Sequence, residues 1–130
     1  MAASRVSAVG KHIAPKPAAP LIARLLVANR GEIAIRIMRS ANELGIQTVA
    51  LLTALDHGAL HAGCASEGSV TIPSYLDIQA AVDAAVDSGC TAVHPGYGFL
   101  SESAPFAELC VQACSTTPPQ PLHCSLTREH

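Results

Sequence analysis

The sequence has few aromatic residues: no tryptophan, two tyrosines and two phenylalanines, together 3% of its 130 residues. A folded core must therefore be aliphatic and rich in alanine. The chain has no apolar run of about 18 residues, the length that a membrane-spanning helix needs. Its formal net charge of −2 gives no general attraction to nucleic acid or to an anionic membrane. We therefore expect one globular domain whose partners include no nucleic acid and no membrane.

Two common nucleotide-binding motifs are also missing. The turn after the first apolar run, residues 28–33, contains only one glycine, whereas the dinucleotide fingerprint G-x-G-x-x-G needs three. Asp56 follows one strand later and could imitate the acid that binds a ribose, so a small nucleotide-binding protein stays an alternative. The sequence has no G-x-x-x-x-G-K-[ST] either, which excludes an NTPase of the Walker type.

The sequence does not predict a metal site. The five cysteines are odd in number and follow no secretory signal, which favours a reducing intracellular compartment. Cys110 and Cys114 form a single C-x3-C pair, and zinc spacings are usually tighter and paired. His57, His61 and Cys64 could share a helix face, but we expect ordinary histidines in a solvated crossover.

The first 20 residues differ from the rest in composition. They contain Arg5, Lys11 and Lys16, no acidic residue and three prolines. This pattern is a mild match to a mitochondrial transit peptide, but the prolines disfavour a long amphipathic helix. We expect a flexible leader and a cytoplasmic protein, with the mitochondrial matrix as the alternative.

From residue 21 onward, short apolar runs alternate with helical patterns. The runs at 25–28, 48–52, 70–72 and 91–93 predict strands, since buried parallel strands are continuously apolar. One helix presents a stripe of Ile33, Ile37, Ala41 and Leu44, and the next a stripe of Ile78, Ala81, Val82, Ala85 and Val86. Ser74 is the expected cap of the second helix. This alternation predicts a Rossmann-like α/β fold with a parallel sheet flanked by helices.

A last helix is predicted to begin at Ser103 and to bury Phe106, Leu109, Cys110 and Ala113 on one face. Residues 114–130 then form an aperiodic, proline-rich tail in which we predict no strand. The sheet is therefore expected to be incomplete at its C-terminal edge. An open apolar edge strand predicts marginal stability or aggregation.

The stretch HPGYGFLSE, residues 94–102, is the most promising loop, because ligands of open α/β sheets bind beyond the carboxyl ends of strands. Gly96 and Gly98 permit a close backbone approach, and Tyr97 between them can expose its ring and hydroxyl. Glu102 could accept a hydrogen bond. A tight turn whose tyrosine merely packs is an equal alternative.

Two segments together resemble a known family. LLVANRGEIAIRIMRSANELGIQTVAL and SYLDIQAAVDAAVDSGCTAVHPGYGFLSESAPFAELC resemble the N-terminal, pre-ATP-grasp domain of biotin carboxylase over about residues 21–113. The resemblance implies a part of a biotin-dependent carboxylase, in which ATP and bicarbonate carboxylate biotin with the help of Mg²⁺. It implies partners in the remaining domains or subunits: the ATP-grasp domain, the biotin carrier and the carboxyltransferase.

The resemblance also assigns residues. It places Arg36, His94, Gly96, Tyr97, Gly98 and Glu102 at the biotin and carboxyphosphate cleft. It places Arg39 and Glu43 at a homodimer interface, although a solvated charged pair one turn apart explains them equally well.

The family's ATP-grasp domain, with its nucleotide, metal and bicarbonate residues, has no counterpart in this sequence. We therefore expect the chain to be inactive alone and to bind neither biotin nor ATP tightly. A non-catalytic module that pairs with full-length carboxylase subunits is the alternative function. The resemblance selects no acyl substrate, and it leaves open whether the segment after Ala113 is a real product or a gene-model artefact.

Overall fold

The computed structural model describes residues 22–116 and 123–124. Its strands are β1 (Arg24–Val27), β2 (Gln47–Leu52), β3 (Ser69–Thr71), β4 (Ala92–His94) and β5 (His123–Cys124). They form one sheet in the order β3-β2-β1-β4-β5, and every pair of neighbours is parallel. The predicted Rossmann-like α/β class is confirmed. The predicted leader, residues 1–20, lies outside the described residues.

Three helices connect the strands: α1 (Gly31–Glu43), α2 (Ile78–Asp87) and α3 (Ala104–Thr116). Two short 3-10 turns, Ala54–Asp56 and Leu60–Cys64, form the crossover between β2 and β3. In the part of the chain that the structure describes, no helix is long and apolar enough to cross a membrane.

The sheet separates two apolar cores. Successive strand residues point to opposite faces, so in β1 Leu26 joins the core under α2 and α3, while Leu25 and Val27 join the core under α1. The first core is the larger and includes the fully buried Phe106. Strands buried on both faces explain the continuous apolar runs of the sequence.

The predicted helix faces need correction. In α1 the buried residues are Ala34, Met38 and Ala41, whereas Leu44 is 73% exposed and Ile33 37% exposed. Of the predicted stripe, Ala41 is buried and Ile37 packs against the same core, so the prediction is wrong for Ile33 and Leu44. Ile37 and Leu44 border an open groove. In α2, Val86 is also exposed, and Ala84 is buried in addition to the predicted residues. The face of α3 is as predicted, with Phe106 and Cys110 buried and Leu109 and Ala113 packed beside them.

Two of the helix starts can be compared with their predicted caps. The side chain that caps α2 is Asp77, which accepts a hydrogen bond from the Ala80 N–H at 3.0 Å; Ser74 instead accepts one from the Leu76 N–H. The predicted cap at Ser74 is therefore wrong, because the helix begins one turn later. Ser103 does cap α3 by accepting a hydrogen bond from the Phe106 N–H at 3.2 Å.

The C-terminal edge of the sheet also differs from the expectation. The sequence predicted no strand after the last helix, but β5 pairs in parallel with β4, with Ala92 opposite His123 and Val93 opposite Cys124. A two-residue strand is too short to produce a periodic pattern, which explains why the sequence did not predict it. Helix α3 also continues to Thr116, past the predicted domain boundary at residue 113.

The strand order reverses between β1 and β4. From β1 the chain moves outward through β2 to β3, then returns through α2 to β4 on the other side of β1 and continues to β5. The chain after β1 therefore leads to α1 on one face of the sheet, and the chain after β4 leads to α3 on the other face. Ligands of open α/β sheets bind at such a switch point. The loop HPGYG begins with His94, the last residue of β4, and therefore lies at this place.

Candidate functional site at the sheet switch point

The loop at residues 94–98 is held from within by His94. Its Nδ1 accepts a hydrogen bond from the Gly96 N–H at 3.0 Å, so the ring carries no proton on that nitrogen. Burial lowers the pKa of His94 below its usual 6.5, which favours the same neutral form. The loop is thus ordered by a histidine that acts as an acceptor.

The loop is also held by Asn29, a residue of the segment that follows β1. Its Nδ2 donates to the Pro95 carbonyl at 2.8 Å and to the Tyr97 carbonyl at 2.7 Å, while its Oδ1 accepts from the Arg30 N–H at 2.8 Å. Asn29 is 2% exposed. One buried amide therefore joins the segment that follows β1 to the loop that follows β4.

A stacked aromatic pair fixes the far end of the loop. The Phe99 ring lies 5.1 Å from the Tyr75 ring, with 30° between the planes. Phe99 has φ of +47°, a left-handed conformation that disfavours a bulky side chain. Strain of this kind persists where surrounding contacts hold it, and here the stacking on Tyr75 supplies such a contact.

Tyr75 belongs to a buried polar network at the carboxyl end of β2. Its hydroxyl donates to Asp56 Oδ2 at 2.7 Å and lies 2.9 Å from the Leu51 carbonyl and 3.4 Å from His61 Nε2. Burial raises the pKa of Tyr75, and the hydrogen bond to Asp56 and its negative charge raise it further. The phenol therefore stays protonated and keeps its O–H donor. The network fixes the ring on which Phe99 stacks.

Asp56 is the charged centre of that network and is 1% exposed. Arg30 Nη2 lies 2.9 Å from its Oδ1, and the N–H and hydroxyl of Thr53 donate to its Oδ2 at 2.8 and 2.9 Å. Burial raises the pKa of Asp56, but hydrogen bonds from Thr53 and Tyr75, together with the charge of Arg30, outweigh it and lower the pKa to about 2. The carboxylate is thus ionised, with Oδ2 hydrogen-bonded and Oδ1 in contact with Arg30 only, and its burial keeps it from the ribose of a dinucleotide.

The outer edge of the loop faces solvent. Tyr97 is 77% exposed, Gly98 and Glu102 are exposed, and Gly96 is half-buried. A Cβ built on Gly98 would meet no atom within 4 Å, so a planar ligand has room to approach its backbone. The alternative that the tyrosine merely packs is therefore wrong for this conformation of the chain.

The remaining predicted residues lie in two other places. Arg36 and His94 border the same groove, beside Ile37 and Val93, on the α1 face of the sheet. Arg39 and Glu43 border a separate shallow depression with Asn42. Among the described residues the ion pair recorded is Arg30–Asp56, so Arg39 and Glu43 are exposed without bridging each other.

The three residues considered for a metal do not converge. His57 is exposed, while His61 is 1% exposed and belongs to the Tyr75 network. Across residues 22–116 and 123–124, no group of three or more histidine, cysteine, aspartate or glutamate side chains could hold a metal ion. The expectation of solvated histidines is wrong for His61, because the 3-10 turn packs its ring against β2.

Sequence reasoning missed Asn29, Arg30 and Tyr75 as members of this site. Asn29 and Arg30 directly follow β1, as HPGYG follows β4, so the strand order would have placed them together. Tyr75 carries no such indication, because its role depends on the three-dimensional approach of Asp56 and Phe99.

The fold is a layer of doubly wound α/β type, and comparison with known proteins identifies the family. The family model of the biotin carboxylase N-terminal domain matches residues 21–116. The methylcrotonoyl-CoA carboxylase subunit alpha, mitochondrial, of Oryza sativa subsp. japonica is 55% identical over 94 residues, which cover 68% of this chain and 13% of that protein. Biotin carboxylase 1 of Bacillus subtilis is 50% identical over 95 residues, covering 69% and 21%.

Solved structures agree. The multifunctional pyruvate carboxylase of Rhizobium etli superposes with a TM-score of 0.68 at 45% identity, over 71% of this chain and 10% of that one. The biotin carboxylase domain of a thermophilic 2-oxoglutarate carboxylase, bound to bicarbonate, gives a TM-score of 0.68 at 44% identity, over 72% and 22%. This chain belongs to the biotin carboxylase N-terminal domain family, and it spans between 13% and 21% of the length of these two curated relatives.

Proposed function

We propose that this chain supplies the biotin-facing wall of a biotin carboxylase cleft, in a biotin-dependent carboxylase that uses ATP and bicarbonate. The observation that supports this most directly is the loop at residues 94–98. Its inner side is tied to Asn29 and His94, whereas Tyr97 and Gly98 face solvent at the switch point of the sheet. A rigid loop with an open outer edge is suited to binding a small planar group.

The described residues fit one part of the implied chemistry. The ureido ring of biotin is flat and polar at its edge, and the open backbone around Gly98 with the neighbouring Tyr97 hydroxyl can contact such an edge. Mg²⁺ needs several oxygen ligands, and the described residues contain no group that could hold a metal. By the family resemblance, the nucleotide and its metal would be bound by the remaining carboxylase domains, and we expect no carboxylation by the chain alone.

A chimera tests this proposal. Residues 22–113 replace the matching segment of the Bacillus subtilis biotin carboxylase 1, and bicarbonate-dependent ATP cleavage is measured with free biotin. We expect the chimera to be active and the 130-residue chain alone to be inactive. A folded chimera without biotin-dependent turnover would overturn the proposal.

We also propose that Arg39 and Glu43 contribute to a homodimer interface. Both are exposed on α1 and do not bridge each other, which leaves the two charges available to a second copy. Across a two-fold axis, Arg39 of one copy would pair with Glu43 of the other. Reversing both charges keeps these pairs attractive, whereas reversing Arg39 alone places two negative charges against each other. Sedimentation should then show a monomer for Arg39→Glu and a dimer for the wild type and the double reversal; a wild-type monomer at high concentration would contradict the interface.

For the compartment we propose the cytoplasm, with the mitochondrial matrix as the alternative that the basic residues 1–20 support. The rice relative is described as mitochondrial, which also supports the alternative. Fusing residues 1–30 to a fluorescent protein separates the two: diffuse fluorescence supports the cytoplasm and mitochondrial fluorescence the matrix.

A further inference from the structure

We propose that Asn29 is a positioning residue that sets the backbone of Tyr97 and Gly98 for the ligand at the switch point. The inference rests on the proposed function for the identity of that ligand, but the contact itself does not. Asn29 lies two residues after the end of β1, beside the loop that follows β4. It reaches across and binds two carbonyls of that loop.

The hydrogen bonds of Asn29 leave little freedom. A side-chain amide has two N–H donors, and the structure gives one to the Pro95 carbonyl and one to the Tyr97 carbonyl. The carbonyl oxygen of the amide accepts from the Arg30 N–H, which fixes the orientation of the group. Because Asn29 is 2% exposed, water cannot easily replace a lost bond. The Pro95–Gly96 and Tyr97–Gly98 peptide units are therefore held by one side chain.

Gly96 shows how closely the loop approaches this amide. A Cβ built at residue 96 would lie 2.7 Å from Asn29 Nδ2 and 3.0 Å from the Ile33 side chain. Gly96 also has φ of +67°, a conformation that favours glycine. A side chain at residue 96 would thus push the loop away from Asn29. The glycine in this position is needed for the contact, in addition to the backbone freedom expected from the sequence.

Asn42 provides a control with a similar pattern of hydrogen bonds, although Asn42 is exposed and Asn29 is buried. It is also an asparagine whose amide bridges two segments: its Nδ2 donates to the Cys64 carbonyl at 3.1 Å and its Oδ1 accepts from the Thr48 hydroxyl at 2.9 Å. Its partners lie in the crossover after β2 and at the start of that strand, away from the loop. Loss of Asn42 therefore tests what removal of a bridging amide does to the fold in general.

The experiment uses the full 130-residue chain and nuclear magnetic resonance with amide hydrogen exchange. Asn29→Ala should shift the Tyr97 and Gly98 amide resonances and speed exchange at the Gly96 and Ser101 N–H groups, which bond within the loop. Gly96→Ala should produce the same local pattern while keeping Asn29. If Asn29→Ala does not fold, Gly96→Ala still tests whether the contact sets the loop. Gly45→Ala controls for backbone strain, because Gly45 also has a positive φ but a Cβ built there meets no atom within 4 Å.

A second readout separates positioning from stability. In the chimera described above, Asn29→Ala should raise the KM for biotin by about 10-fold, the effect of losing about 1.4 kcal/mol of contact free energy, and leave the KM for ATP unchanged. Asn42→Ala should change neither KM.

Two results of the resonance experiment would overturn the positioning role: loop resonances that do not move in either folded variant, or loop changes of equal size in Asn42→Ala. A biotin KM that is unchanged by Asn29→Ala in an active chimera would also overturn it. If the unmodified chimera is inactive, the proposed function fails, while the resonance data on the 130-residue chain still decide whether Asn29 sets the loop.

Discussion

The two faces of the sheet are unequally covered. On one face, α2 and α3 pack together over a continuous core that includes the fully buried Leu26, Val93 and Phe106. On the other face, α1 covers a smaller core and leaves beside it an open apolar groove of about 530 Å³, bordered by Ile37 and Leu44. The difference indicates that the first face supplies most of the stability of this chain. It also indicates that exposed residues at the groove, such as Leu44, can be changed at low cost, whereas the buried core of the second face cannot.

The groove also adjoins the candidate site at residues 94–98. Arg36 and His94, two residues that the family resemblance assigned to the cleft, border it. His94 therefore connects the weakly covered face to the ordered loop through its bond to the Gly96 N–H. The covered face reaches the same loop by a different route, through the stacking of Tyr75 on Phe99.

The largest expected effect is that of Phe106→Ala on the covered face. Phe106 is 0% exposed, and removal of a buried phenylalanine costs about 3–5 kcal/mol of unfolding free energy. This is a large share of the stability of a small domain. Urea unfolding followed by circular dichroism measures it, with Val111→Ala on the exposed side of α3 as the control. A loss below about 1 kcal/mol would show that this face is not the stabilising one.

An intermediate effect is expected from acid, because Asp56 links the two faces. Its carboxylate contacts Arg30 at the start of α1 and Tyr75 in the larger core. The pKa of about 2 in the folded chain lies below the ordinary 3.8, so ionised Asp56 stabilises the fold above pH 4. That contribution, about 2 kcal/mol, is lost as the pH falls from 3.8 through 2.

The lowered pKa of His94 acts in the same direction below 6.5, since the unfolded chain binds that proton more readily. Unfolding curves from pH 7 to pH 2 should thus show falling stability, with a shallower decline below pH 4 in Asp56→Asn. Equal declines for the two proteins would contradict the role of Asp56.

The smallest effect is expected at the groove. Leu44 is 73% exposed, so Leu44→Ser should change the unfolding free energy of the chain by less than about 0.5 kcal/mol. Met38→Ala, on the buried side of the same helix, should cost at least about 2 kcal/mol. Thermal or urea unfolding of the two variants compares the two sides of α1, and similar losses would show that the groove is closed in solution.

The sequence predicts the fold well because parallel strands buried on both faces are apolar throughout, and the runs at β1, β2 and β4 are clear. It predicts helix faces less well: in α1 the small Ala34 and Ala41 face the sheet, and the larger Ile33 and Leu44 do not. The prediction was right for Ala41 and Ile37 and missed the buried Ala34 and Met38, because hydrophobicity alone does not fix which of two adjacent stripes faces the sheet.

The location of the candidate site was predicted in part. Glycine spacing and strand ends indicated the loop at residues 94–98, and the family resemblance supplied the ligand that we propose for it. The partners of the loop were not predicted, because Asn29 and Tyr75 act through hydrogen bonds and stacking between segments far apart in the chain. No local pattern encodes such contacts.

The most direct test of the central claim, that the outer edge of the loop at residues 94–98 faces biotin, compares two glycines in the chimera. Gly98 and Gly45 have φ of +70° and +78°, and neither has an atom within 4 Å of a built Cβ, so alanine strains both positions similarly. Biotin-dependent ATP cleavage is measured for both variants at increasing biotin concentration. We expect Gly98→Ala to raise the KM for biotin at least about 10-fold, a loss of about 1.4 kcal/mol in binding free energy. Gly45→Ala should leave this KM unchanged. Equal KM values in the two variants would contradict it.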